Sequence, residues 1–189
     1  SGNTSSGVAN VTGTGSQWQI AGDFFVGDMG TGDLNISAGG SVYSGNSSLG
    51  PSYDSLGRAV VSGEDSIWSI SGDLNLGGDG YGVIYYGTGE LTIGSGGKVT
   101  VSGATRLLTA TSAINLQEGG TLVTGTLDTS TGTFNWTGGT LDITGSASGN
   151  VSVPALGVLG GVGTIAGSVV NAGTVSPGNS PGILTITGD

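Results

Sequence analysis

Along the chain, apolar residues alternate with polar ones over short runs that stop at a turn-forming Gly, Asn, Asp or Ser. Trp18/Ile20, Phe24/Val26, Leu34/Ile36 and Val42 form one such series, and Trp68/Ile70, Leu74/Leu76, Leu91/Ile93 and Val99/Val101 form another. A period of two predicts very short β-strands, each with one face buried. No window carries the i, i+3, i+4 spacing of an amphipathic helix. Glycine at the observed density would also cost a helix about 1 kcal/mol at each occurrence.

The two series are copies of one another. At a shift of 50 residues, Val11, Gly13, Ser16, Trp18, Ile20, Gly22, Asp23, Gly27 and Gly30 meet identical residues between Val61 and Gly80. Seven further residues, Tyr81 to Gly87, then move the shift to 57, where GTGDLNISAGGSV (Gly30 to Val42) meets GTGELTIGSGGKV (Gly87 to Val99). Repeat units therefore span about 11–45 and 61–103, degenerate coils follow over 104–158, and the last coils cover 159–189. Strands this short are unstable alone. If about three of them make one coil of roughly 20 to 25 residues, each stacks in parallel on its equivalent in the next coil at about 4.8 Å, and the inward residues form one apolar column. The expected fold is an all-β parallel β-helix, or β-solenoid, of about eight coils in a single domain and a rod about 40 Å long. Disorder would account for the 42 glycines among 189 residues but not for the registered Trp, Leu and Ile. A β-sandwich or jelly roll is the other folded alternative.

Composition excludes several chemistries. With no His and no Cys there is no thiol nucleophile, zinc finger, disulfide framework or Ser-His-Asp triad. A net charge of -10 with 3 scattered cations argues against nucleic acid, which requires clustered Lys and Arg. No run approaches the ~18 apolar residues of a membrane span.

The C-terminal stretch LGGVGTIAGSVVNAGTVSPGNSPGILTITGD (Leu159 to Asp189), with its PGNSPG box at Pro177 to Gly182, resembles a segment common in passenger domains of Gram-negative autotransporters and related exported proteins. The units around Trp18 and Trp68 resemble the β-helical repeats of the same group. The resemblance implies a right-handed parallel β-helix, exported and displayed at the surface of a Gram-negative-type bacterium. Such passengers include adhesins, self-associating proteins, stalks and carriers of separate enzyme domains.

Candidate chemistry is sparse. Asp23 and Asp73 share a place in the repeat and could stack into a small acidic ladder, while Glu64, Asp65, Asp28 and Asp33 lie near turns. Paired carboxylates are what a polysaccharide-cleaving β-helix enzyme would use. These acids obey the repeat, which favours turn chemistry, and no catalytic residue is assigned. The segments around Asp28 and Asp79 are superficially similar to the Gly/Asp nonapeptide that binds calcium in β-rolls, without its residue order. No cofactor is expected, calcium being a weak possibility. Sequons at Asn3, Asn10, Asn35, Asn46, Asn135 and Asn150 are expected by chance in so Ser/Thr-rich a chain.

Two segments are read as insertions that interrupt the repeat, and interruptions are where solenoids carry specificity. Ser47 to Arg58 contributes Pro51, Tyr53 and Arg58 as candidate contacts; Tyr81 to Tyr86 contributes Tyr81, Tyr85 and Tyr86. Either a protruding loop or side strand that contacts a neighbouring subunit or a glycan, or an extra strand tucked over one face, fits these segments. Neither end offers a polar cap, so the chain is expected to be part of a longer one, and its coils to pair with other copies head-to-tail or laterally. The function expected is a non-enzymatic, extracellular structural or adhesive surface protein, with itself and surface glycans as partners and self-assembly into a fibre or layer. A polysaccharide-binding or polysaccharide-cleaving protein is the alternative.

Overall fold

The computed structural model describes residues 5–80, 87–148, 150–178 and 182–188. Every ladder in it is parallel. The chain winds through three faces per coil. On the first face lie β1 (Ser6–Thr12), β4 (Thr31–Ser37), β7 (Leu56–Ser62), β10 (Thr88–Gly94), β12 (Ala113–Leu116) and β14 (Thr133–Trp136), hydrogen-bonded in that order. The second face stacks β2 (Gln17–Gln19), β5 (Ser41–Ser44), β8 (Ile67–Ile70), β11 (Lys98–Leu107), β13 (Thr121–Asp128), β15 (Gly139–Ser148), β17 (Gly157–Gly161) and β20 (Thr174–Pro177).

The third face begins with β3 (Phe24–Val26), β6 (Ser47–Leu49) and β9 (Leu74–Leu76). It continues through the far halves of β11, β13 and β15, which bend from one face to the next, and then through β18 (Thr164–Ala166) and β21 (Thr185–Ile186). In the later coils β16 (Val151–Val153) and β19 (Val169–Asn171) take the place of the first face and pair with each other. The fold is thus a parallel β-solenoid, and its second face stacks one strand from each of eight coils.

Register explains the repeat. Trp18 stacks on Val42, Val42 on Trp68 and Trp68 on Val99, so the shift of 50 residues spans two coils rather than one. Coil length is less uniform than the expected 20 to 25 residues. It is 25 residues between Asn10 and Asn35, 32 between Arg58 and Glu90, and 18 between Asn150 and Ser168.

The core is the predicted apolar column: Leu34, Ile36, Val61, Leu91, Ile93, Ile114 and Leu116 from the first face, Val42, Trp68, Ile70, Val99, Leu122, Leu141 and Leu159 from the second, and Leu49, Leu74 and Leu76 from the third. A few polar residues enter it in bonded pairs. Ser44 Oγ and Ser47 Oγ lie 2.8 Å apart, and Trp68 Nε1 donates to Ser44 Oγ at 3.2 Å.

One expectation is corrected here. Ser47 to Arg58 is not an insertion: Ser47–Leu49 pairs with both Phe24–Val26 and Leu74–Leu76, and Leu56 opens a strand of the first face. Only residues 50–55 form a turn. The other predicted interruption, with Tyr81, Tyr85 and Tyr86, lies outside the described residues. No helix in the described residues is long and apolar enough to cross a membrane.

Candidate functional site

The corner between the third face and the first changes most along the rod. Among the described residues it is made by 27–30, 50–55, 77–80 with 87, 108–112 and 129–132 in successive coils. Gly50 turns the chain at φ 59°, and a side chain there would meet the Thr88 carbonyl of the next coil at 2.0 Å. The turn is then closed by hydroxyls: Ser55 Oγ donates to the Ser52 carbonyl at 2.6 Å and accepts the Ser52 N–H at 3.0 Å, and Asp54 takes a left-handed φ of 55°. Farther along, Thr109 Oγ1 donates to the Gly87 carbonyl at 3.0 Å and lies 2.7 Å from Ser112 Oγ.

These corners enclose an open groove of about 780 Å³ whose walls include Asp54, Leu56, Thr88, Glu90, Leu108, Thr111 and Thr131. Its size lies in the range of small-ligand clefts. Thr88 Oγ1 donates to Thr111 Oγ1 at 2.9 Å. Because Glu90 pairs with Ala113 and Ala113 with Thr133, Thr88, Thr111 and Thr131 fall in one column, one hydroxyl per coil.

The predicted contact residues fare differently. Pro51 is buried in the corner. Tyr53 is 68% exposed on the same turn, beside Asp54. Arg58 lies in a strand, not a loop: its Nε donates to Glu90 Oε2 at 3.0 Å and its Nη1 lies 3.8 Å from Asp33 Oδ1, so it ties three coils together on the first face. The groove residues Thr88, Glu90, Leu108, Thr111 and Thr131 were not singled out in the sequence. A Thr at or just ahead of the start of successive strands of the first face was the signal for three of them.

Asp23 and Asp73 do not stack on each other. The two lie two coils apart with Asn46 between them: Asn46 Nδ2 donates to Asp23 Oδ1 at 3.0 Å, and the Asp73 N–H donates to Asn46 Oδ1 at 3.0 Å. Asp73 passes the chain on. Its Oδ1 accepts the Ala104 N–H at 2.8 Å and its Oδ2 accepts Arg106 Nη1 at 2.7 Å. An amide between the carboxylates removes the repulsion that direct stacking would bring.

Partial burial pushes the Asp73 carboxyl up, but the Ala104 N–H and the hydrogen bond and charge of Arg106 together outweigh it, leaving the group below its ordinary 3.8. Asp128, opposite Arg106 in the next coil, is lowered by the Ser130 hydroxyl and N–H against burial, with help from Ser148 and Arg106. A depressed carboxylate stabilises the fold fully above its unfolded value and loses that contribution as pH falls through the folded one. The melting temperature is therefore expected to hold steady from pH 7 down to about 5 and to fall below about 4. Asp73→Asn should lower it at pH 7 by less than about 4 °C, since the ion pair is half-exposed, and should flatten the acid-side fall. Circular dichroism melts across pH check both.

Comparison with protein-family models, with curated proteins and with solved structures found no match. Fold and site together define an all-β parallel solenoid with a hydroxyl-lined groove along one corner.

Proposed function

We propose that this chain is a non-enzymatic structural and adhesive segment of an exported protein, displayed outside a Gram-negative-type bacterium, where the solenoid serves as spacer and contact surface. The supporting observation is the use made of six of its carboxylates. Asp23 is bonded to Asn46, Asp28 to Ser52, Asp33 and Glu90 to Arg58, Asp73 to Ala104 and Arg106, and Asp128 to Ser148. Each of these bonds joins one coil to the next. Acids spent on stitching the stack favour a scaffold over an acid and base pair poised at one bond.

Self-association, in this reading, is with other copies of the chain, head-to-tail or side by side. A second reading, polysaccharide binding, is favoured by the corner groove, with its hydroxyl column and two carboxylates.

The experiment is to display the chain on a non-adherent bacterium and measure attachment to glycan-coated and protein-coated surfaces, while assaying the medium for released sugar. Attachment with no new reducing ends is the expected result. Release of sugar that disappears on substituting a groove carboxylate would overturn the non-enzymatic assignment.

A further inference from the structure

We infer that the corner groove binds a neutral, extended oligosaccharide lying along the axis of the rod. The inference rests on the adhesive part of the function proposed above and names its partner. Three properties of the groove point to this chemistry.

The first is its period. Thr88, Thr111 and Thr131 recur once per coil, and coils in a parallel stack repeat at about 4.8 Å. The hydroxyls therefore form a row along the axis, the direction in which an extended chain would lie, with those of Thr88 and Thr111 2.9 Å apart. The second is the mixture of groups. Thr hydroxyls both donate and accept, the Asp54 and Glu90 carboxylates accept from sugar hydroxyls, and Leu108 offers an apolar surface to the C–H face of a ring. Arg58 holds Glu90 in place, and Thr88 donates to Thr111, so these groups are oriented before any ligand arrives. The third is charge. Two carboxylates in the walls, on a chain of net charge -10, repel uronic acids and sulfated sugars and leave neutral ones.

A basic peptide would also be drawn to acidic walls. It would pair with the carboxylates but make little use of the hydroxyl column, whereas a sugar's own hydroxyls can both donate to and accept from it.

The test is titration of the whole chain with cellohexaose, followed by isothermal calorimetry and by amide chemical shifts. A hexagalacturonide and a lysine-rich peptide serve as comparison ligands. Cellohexaose is expected to bind, with shifts centred on residues 108–111 and 88–90, and the hexagalacturonide to bind at least about tenfold more weakly.

Thr111→Val with Thr131→Val keeps the shape and removes two hydroxyls; a loss of about tenfold or more in affinity is expected. Ala110→Trp, at an exposed wall position, should abolish binding while leaving the circular dichroism melt unchanged. Tyr43→Ala on the second face should leave binding intact. If cellohexaose binds equally well after Ala110→Trp, the groove assignment falls while sugar-based adhesion stands. Binding of the lysine-rich peptide without any of cellohexaose overturns the carbohydrate assignment itself. Failure of displayed cells to attach to any surface would instead bring down the adhesive reading beneath it.

Discussion

Gly57→Ala is expected to prevent the chain from folding, or to destabilise it by more than about 3 kcal/mol, although it adds a single methyl group. Gly57 stacks on Gly32 and Gly89 of the adjoining coils, and Gly32 on Gly7. This glycine column lies where the first face leaves the corner and its backbone passes hard against the preceding turn. A Cβ at Gly57 would lie 2.1 Å from the Val26 carbonyl oxygen and 2.2 Å from the Gly50 nitrogen, both backbone atoms of corners that carry inter-coil hydrogen bonds. Neither can retreat without breaking the stack.

Gly22 supplies the contrast. Nothing lies within 4 Å of a Cβ built there, and its backbone is not left-handed, so Gly22→Ala should change stability by less than about 0.5 kcal/mol. Urea denaturation followed by circular dichroism separates the two. Equal tolerance of both changes would mean that the corner is not packed as described.

The second large effect is expected at Trp68. Its side chain is completely buried, it meets Phe24 edge-on with ring centroids 6.2 Å apart, and Phe24 in turn meets Trp18 at 5.2 Å. Trp68 also donates its indole N–H to Ser44, which bonds Ser47 inside the core. Trp68→Ala removes the largest buried side chain and leaves that pair of hydroxyls without its donor; a loss of about 3–5 kcal/mol is expected. Trp68→Phe keeps most of the volume and should cost about 1–2 kcal/mol.

Because each coil touches only its neighbours, the damage should be local at first. Hydrogen exchange in Trp68→Ala is expected to accelerate earliest in Ser41–Ser44 and Lys98–Val101, the strands on either side, and last in the coils around Leu141 and Leu159. Uniform acceleration would contradict a stacked column.

Most of the first and second faces could be read in the sequence because their inward residues are apolar and their outward ones are not. Leu34/Ile36 and Leu91/Ile93 alternate cleanly, and both pairs sit in the core. The third face was hidden where that alternation fails. In Ser47–Leu49 the inward Ser47 is polar and is tolerated by its bond to Ser44, while Ser48, at the alternate position, is itself buried. No periodicity marks such a strand, and the segment looks like an insertion.

The groove was hidden for a different reason. Asp54, Thr88, Leu108 and Thr131 are far apart in the chain and become neighbours only when corners stack in register. Register depends on coil lengths, which run from 32 residues between Arg58 and Glu90 to 16 between Val158 and Thr174 and which a single repeat period does not supply. Arg58 could be picked out by its rarity, yet its two acidic partners, Asp33 and Glu90, come from the coils on either side.

The most direct measurement of the scaffold reading follows attachment and sugar release together, from the same displayed cells, on the same neutral glycan surface. The account predicts that attachment rises on display of the intact chain, falls with Ala110→Trp, and is accompanied by no reducing ends above those of undisplaying cells. Sugar released in proportion to displayed chain, and lost with Glu90→Gln, would make this molecule an enzyme and contradict the account.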